Sequence, residues 1–186
     1  MELTPEQFKA ISLRRGESTF RLAAERGLEA EKIADLKTQR DRIHLEFLAT
    51  HSCVIDGVQD VLRSLHGNVR MIVVTSCRRG HFELAHADSG LLHYFDGILT
   101  REDFTHTKPS PEPYVTALRR FDLQPEECIV VEDSERGLQS AVAAGLKCLI
   151  VPNMWTQEGD FSRAQGVLPT ISCVPAEISR SISFPK

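Results

Sequence analysis

The chain has 186 residues, 22 of them basic and 26 acidic, for a formal net charge of −4. That length holds one full core, or a core with a small helical appendage, and that charge offers no surface for a polyanion. Nucleic acid is therefore not an expected partner, and the apolar runs are too short to span a bilayer. Five cysteines with no CxxC pair, and no leader-like start, predict a reduced, cytoplasmic protein.

Residues 1–52 read as helix. Thr4, Pro5 and Gln7 form a start signal, with Thr4 as N-cap, Pro5 at the first helical position and Gln7 closing a capping box. Gly16 and Gly27 divide the segment into three short helices, the third carrying Ile33, Leu36, Ile43, Phe47 and Leu48 as an apolar stripe. From residue 53 onward the pattern changes. Gly57–Leu65 is an amphipathic helix, and Met71–Val74 is a continuous apolar run of the kind buried on both faces of a parallel sheet. A helix over Arg79–Ala87 and a short strand over Gly97–Leu99 follow. Pro111–Phe121 is helical, with Ser110 as its N-cap. Cys128–Val131 and Leu146–Val151 are further buried strands flanking a helix over Gly137–Ala144 that stops at Gly145. A last strand is expected at Ile171–Val174. This alternation predicts an α/β fold with a doubly wound parallel sheet over 53–186 and a helical subdomain over 1–52.

Ligands of such sheets bind beyond the carboxyl ends of the strands. Three motifs end there: IVVTSC (Ile72–Cys77), TKPSPEPY (Thr107–Tyr114) and CIVVEDSERG (Cys128–Gly137). Thr75 and Ser76 offer hydroxyls and N–H groups to phosphate oxygens, or caps to the next helix. Lys108, stiffened by Pro109, Pro111 and Pro113, offers a point charge for a phosphoryl group. Glu132 and Asp133 are adjacent carboxylates that repel unless a cation lies between them, and few hard oxygen ligands suit magnesium. The seven histidines are scattered without HxH or HExxH spacing, so zinc is not expected.

Together these motifs resemble the haloacid dehalogenase superfamily of phosphohydrolases. The resemblance is nearest its branch with a small helical cap, which includes β-phosphoglucomutase-like and phosphoglycolate phosphatase-like enzymes. IVVTSC resembles the second motif of that family, KPSPEPY the third, and VEDSERG the fourth. The resemblance implies that Thr75, the better candidate of the two hydroxyl residues, binds phosphate, that Lys108 steadies the nucleophile and phosphate, and that Glu132 with Asp133 holds Mg2+. It implies a phosphatase or phosphomutase acting through an aspartyl-phosphate on a small phosphorylated metabolite. The cap then selects the substrate, with Arg14, Arg15, Gly16 and Glu17 as the candidate residues.

Members of that family open with a central strand ending in D-x-D-G, between the strands of the second and fourth motifs. The nearest imitation here is Val54-Ile55-Asp56-Gly57, with valine at the nucleophile position, and its placement predicts Asp56 to be a loop residue. The expectation is a gap in the sheet and an N-terminally shortened chain that is inactive alone, or one that takes a strand from a partner or a second copy. The alternative reading is a catalytically silent phosphate-binding or regulatory protein.

Overall fold

The computed structural model describes residues 2–181, so positions 182–186 of the expected core lie outside the described residues. Helix α1 (Pro5–Phe8) opens on the expected capping box. Thr4 Oγ1 accepts from the Gln7 N–H at 3.2 Å, and Gln7 Oε1 accepts from the Thr4 N–H at 3.1 Å. It continues as a π-helical stretch, Lys9–Arg14, until Gly16 turns left-handed at φ +69°. Helices α2 (Phe20–Glu25) and α3 (Ala30–Thr50) follow. The third helix is not a short piece: it runs for 21 residues, and its stripe is buried only at the start. Ile33 is buried, whereas Ile43 and Phe47 remain 61% and 51% exposed. Periodicity marks an apolar face but cannot say how far the partner surface extends.

The remaining helices and strands alternate: α4 (Val58–Leu65), β1 (Ile72–Val74), α5 (Arg79–His86), β2 (Gly97–Leu99), α6 (Glu112–Phe121), β3 (Ile129–Glu132), α7 (Glu135–Ala143), β4 (Lys147–Ile150), β5 (Gly166–Val167) and α8 (Val174–Ser181). Two apolar clusters lie on opposite faces of β4. Leu149 packs with Val61, Leu62 and Leu65 of α4 and with Val174 and Ile178 of α8. Cys148 and Ile150 pack with Tyr114 of α6 and with Leu138 and Ala141 of α7. The period-two alternation of a strand thus feeds both layers, which is why the run reads as continuously apolar. Leu149 and Ile150 are fully buried, each contributing about 1.5–3 kcal/mol relative to exposure. Burial also pushes the Cys148 thiol up to about 12, so it packs as a small hydrophobe.

All strand pairs are parallel, but the sheet comes in two pieces. β1 pairs with β2, Val73 opposite Ile98, while β3, β4 and β5 form a second ladder with Val130 opposite Cys148. The expected gap is there: among the described residues no ladder joins β1 to β3. Val131 of β3 is 38% exposed as a result, and its edge presents unpaired backbone groups.

Two local expectations are corrected. Helix α6 takes Pro111 at its N-cap position, with Ser110 one residue earlier accepting the Glu112 N–H at 3.2 Å through Oγ. Among the described residues the last strand is Gly166–Val167, whereas Ile171–Cys173 is a single 3₁₀ turn leading into α8. Pro175 in the first turn of α8 explains this, since a ring with no N–H suits a helix start and not a strand interior. Among the described residues, no helix is long and apolar enough to cross a membrane.

Candidate active site

The carboxyl ends of β1, β3 and β4 open into a cleft of about 840 Å³, a volume typical of small-molecule sites. Thr75 extends the β1 ladder by one bond, its N–H donating to Leu99 O at 2.9 Å. Its Oγ1 then accepts the Cys77 N–H at 3.1 Å, bending the chain over the strand end. It does not cap α5, whose N-cap position is Arg78. Ser76 lines the same cleft, and its Oγ is buried with no hydrogen-bond partner. A buried hydroxyl without a partner costs roughly 1–3 kcal/mol, a cost that an oxygen bound at this position would remove.

Lys108 reaches the cleft from the loop between β2 and α6, and two devices hold that loop. The Glu112 carboxylate accepts the N–H groups of Thr105 at 2.6 Å and His106 at 2.8 Å, and also meets His106 Nδ1 at 2.7 Å. Fully buried Ser140 donates its hydroxyl to Ser110 O at 2.6 Å. The lysine ammonium spans the gap in the sheet. Its Nζ donates to Val74 O, the last carbonyl of β1, at 2.8 Å, and to Glu132 Oε1 at the end of β3. Tyr114 donates to the same Glu132 oxygen at 2.6 Å, and its ring centroid lies 4.8 Å from Nζ. Burial, with the Glu132 charge added, raises the Tyr114 pKa well above its ordinary value and keeps the phenol a donor.

The Glu112 clasp has a pH signature. The two backbone N–H bonds lower its carboxyl to about 2 from an ordinary 4.5. A depressed folded pKa contributes stability that is whole above the unfolded pKa and is lost as pH falls toward the folded one. The stability difference between the parent and Glu112→Gln is therefore expected to be full at pH 6 and to shrink between about 4.5 and 2. Urea titrations at pH 6 and pH 3 check this; an equal difference at both pH values contradicts it.

Glu132 sits deeper than a strand-end carboxylate was expected to. Its side chain is 9% exposed, and the first turn of α7 closes over it only because residue 137 is glycine, since a Cβ there collides with Glu132 Oε2. Ser134 caps that turn, its Oγ accepting the Gly137 N–H at 3.2 Å. Asp133 lines the cleft itself. The residue is exposed at the cleft mouth, but partial desolvation by the surrounding protein, and then the charge of Glu132, pushes its carboxyl above the usual carboxylate range. Its Oδ2 accepts the Asn153 amide at 2.9 Å. Two oxygen-donor carboxylates, one carrying uncompensated repulsion, fit a small hard cation that leaves its other positions to water and phosphate. Of the two, Asp133 lines the cleft with one oxygen on the Asn153 amide, while Glu132 beside it is tied to Lys108.

Of the cap candidates, the structure brings one to the cleft wall. Gly16 packs against the guanidinium of Arg136, which lines the cleft. Arg14 donates to Glu158 O at 3.2 Å, Glu17 pairs with Arg21 at 2.6 Å, and Arg15 is exposed. Asp56 is a turn residue before α4, as expected, and lines the cleft mouth. Sequence reasoning passed over Asn153 and Arg136. Asn153 follows the carboxyl end of the Leu146–Val151 run, the same signal that marked Thr75 and Asp133.

Residues 1–151 match the family described as haloacid dehalogenase-like hydrolases. The chain belongs to that family. It is similar to "Fructose-1-phosphate phosphatase YqaB" of Escherichia coli (strain K12), 35% identical over 108 residues, which are 55% of this chain and 57% of that protein. It is also similar to "Protein CbbY" of Rhodobacter capsulatus, 29% identical over 151 residues, 78% of this chain and 66% of the relative. Among solved structures, CbbY from Rhodobacter sphaeroides in complex with phosphate matches with a TM-score of 0.75 at 25% identity, covering 91% of this chain and 80% of that one. The chain thus spans less than two thirds of the length of these two curated relatives.

Proposed function

We propose that this haloacid dehalogenase-like chain forms the phosphate- and magnesium-binding part of a phosphohydrolase, phosphatase or phosphomutase in type, acting on a small phosphorylated metabolite. Its nucleophile is an aspartate carried by an extended segment seated between β1 and β3, and residues 1–52 serve as the cap that selects the substrate. The observation that carries this reading is the buried, partnerless Ser76 hydroxyl in one cleft with Lys108 and Asp133. The phosphatases among its relatives support it.

In this reading Thr75 and Ser76 orient the phosphoryl oxygens through their hydroxyls and backbone N–H groups. Lys108, already spanning the gap, neutralises charge on the phosphoryl group and on the incoming carboxylate. Tyr114 and Glu132 fix the ammonium in place. Asp133, with Glu132 beside it, holds the magnesium ion, which when bound offsets the negative charge of the phosphoryl oxygens. An aspartate oxygen bonds to phosphorus as the P–O bond to the substrate's alcohol breaks, and that alcohol leaves with a proton from solvent. Water then cleaves the aspartyl-phosphate to inorganic phosphate and the free carboxylate.

Phosphate binding does not need the nucleophile, so it is testable on the 186-residue chain. Calorimetric titration with inorganic phosphate is expected to saturate, and Ser76→Ala is expected to weaken it roughly 10-fold, the worth of one hydrogen bond to a charged group. No saturable binding, or equal binding by the variant, contradicts the reading.

A further inference from the structure

The cleft holds a second cation that the reaction as described leaves unused. Arg136 stands in the first turn of α7 and lines the same wall as Ser76, Lys108 and Asp133. Two of the three N–H groups of Lys108 are engaged, by a carbonyl and a carboxylate, which leaves one for the phosphoryl group. Arg136 differs: its Nε is buried with no hydrogen-bond partner. Burial lowers the pKa of its guanidinium, and the nearby charges of Glu132 and Asp133 act only in the opposite direction. Keeping a cation partly desolvated without a bonded anion is costly, and an arriving oxyanion removes that cost.

The guanidinium has a prepared seat. It lies against Gly16, where a side chain's first carbon collides with Arg136 Nη1. Gly16 holds φ +69°, a conformation that itself favours glycine. The helical segment and the core therefore meet at this arginine. The cleft, at about 840 Å³, is far larger than one phosphate group requires, and Ser76 and Arg136 both line it.

We propose that Arg136, seated against Gly16, anchors a second anionic group of the substrate, so that the cleft selects small molecules bearing two oxyanions. One is held at Thr75, Ser76 and Lys108; the other lies in the fork of the guanidinium, whose paired N–H groups match a phosphate or a carboxylate. This inference rests on the phosphate reading given above and adds the substrate class to it.

The test is calorimetric titration of the full chain with matched pairs of ligands. Fructose 1-phosphate is compared with fructose 1,6-bisphosphate, and glycerol 3-phosphate with 3-phosphoglycerate. The bisphosphate is expected to bind about 10-fold more tightly than the monophosphate, as one charge-assisted pair allows. Arg136→Gln abolishes that ratio while leaving monophosphate affinity within about threefold, and Arg136→Lys recovers part of it. Gly16→Ala, which takes the guanidinium's seat, lowers the ratio as well and keeps the test available if Arg136→Gln fails to fold. A gain with the bisphosphate alone assigns the second group as phosphate; a gain with 3-phosphoglycerate as well assigns any oxyanion. Equal affinities in the parent, or a loss in Arg136→Gln shared by mono- and bisphosphate, overturns the inference. No binding of either monophosphate overturns the phosphate reading itself, and this inference with it.

Discussion

Replacing Lys108 by alanine is expected to destabilise the fold by about 3–5 kcal/mol, the usual cost of removing one partner from a buried ion pair. The side chains of Lys108 and Glu132 are only 10% and 9% exposed. Removing the ammonium leaves Glu132 with Tyr114 as its main donor and strips Val74 O of the donor that spans the gap. For a chain of this length the loss amounts to roughly 6–20 °C in Tm. The double variant Lys108→Met/Glu132→Gln is expected to recover most of it, because no buried charge then remains. Urea denaturation of the parent, Lys108→Met, Glu132→Gln and the double variant completes the cycle. A loss below about 1 kcal/mol in Lys108→Ala, or no recovery in the double variant, contradicts the assignment of this pair as the tie across the split sheet.

The second large effect is catalytic, in a chain completed by a strand ending in D-x-D-G. There Asp133→Asn is expected to lower kcat by about 10²–10³, in the range seen when one electrostatic stabiliser is removed, and to raise the magnesium midpoint. Glu132→Gln is expected to cost less, since Lys108 and Tyr114 already engage that carboxylate. Lys108→Met is expected to lower turnover with little shift of the magnesium midpoint, because in the proposed reading its charge offsets that of the phosphoryl group while Asp133 holds the ion. Magnesium titrations of steady-state hydrolysis separate the roles. If Lys108→Met moves the midpoint as far as Asp133→Asn does, the division between them is wrong.

Much of this arrangement was legible in the sequence, for a physical reason. Met71–Val74, Cys128–Val131 and Leu146–Val151 read as uninterrupted apolar runs because parallel strands are covered on both faces, and polar residues at their ends converge by the topology alone. Thr75, Ser76, Lys108, Glu132 and Asp133 do line one cleft. What the sequence hid are pairings between distant segments. Tyr114 reads as an ordinary apolar position of α6, and nothing local says that its hydroxyl meets Glu132 at 2.6 Å. Arg136 lies inside a recognised motif, but its packing against Gly16 is a tertiary event. The stripe of α3 misled in the opposite direction, since Ile43 and Phe47 keep helical spacing without a surface to cover them. At the other end of the chain, Ile171–Val174 has strand composition, and only Pro175 signalled that a helix was starting.

The central claim is that the phosphate pocket is built here while the nucleophile arrives on an extended segment between β1 and β3. Hydrolysis of an aryl phosphate in the presence of magnesium tests it most directly, comparing the 186-residue chain with the same chain preceded by an apolar strand ending in D-x-D-G. The account predicts no turnover by the first and magnesium-dependent turnover by the second. Robust magnesium-dependent turnover by the 186-residue chain alone, or none by the completed one, contradicts it.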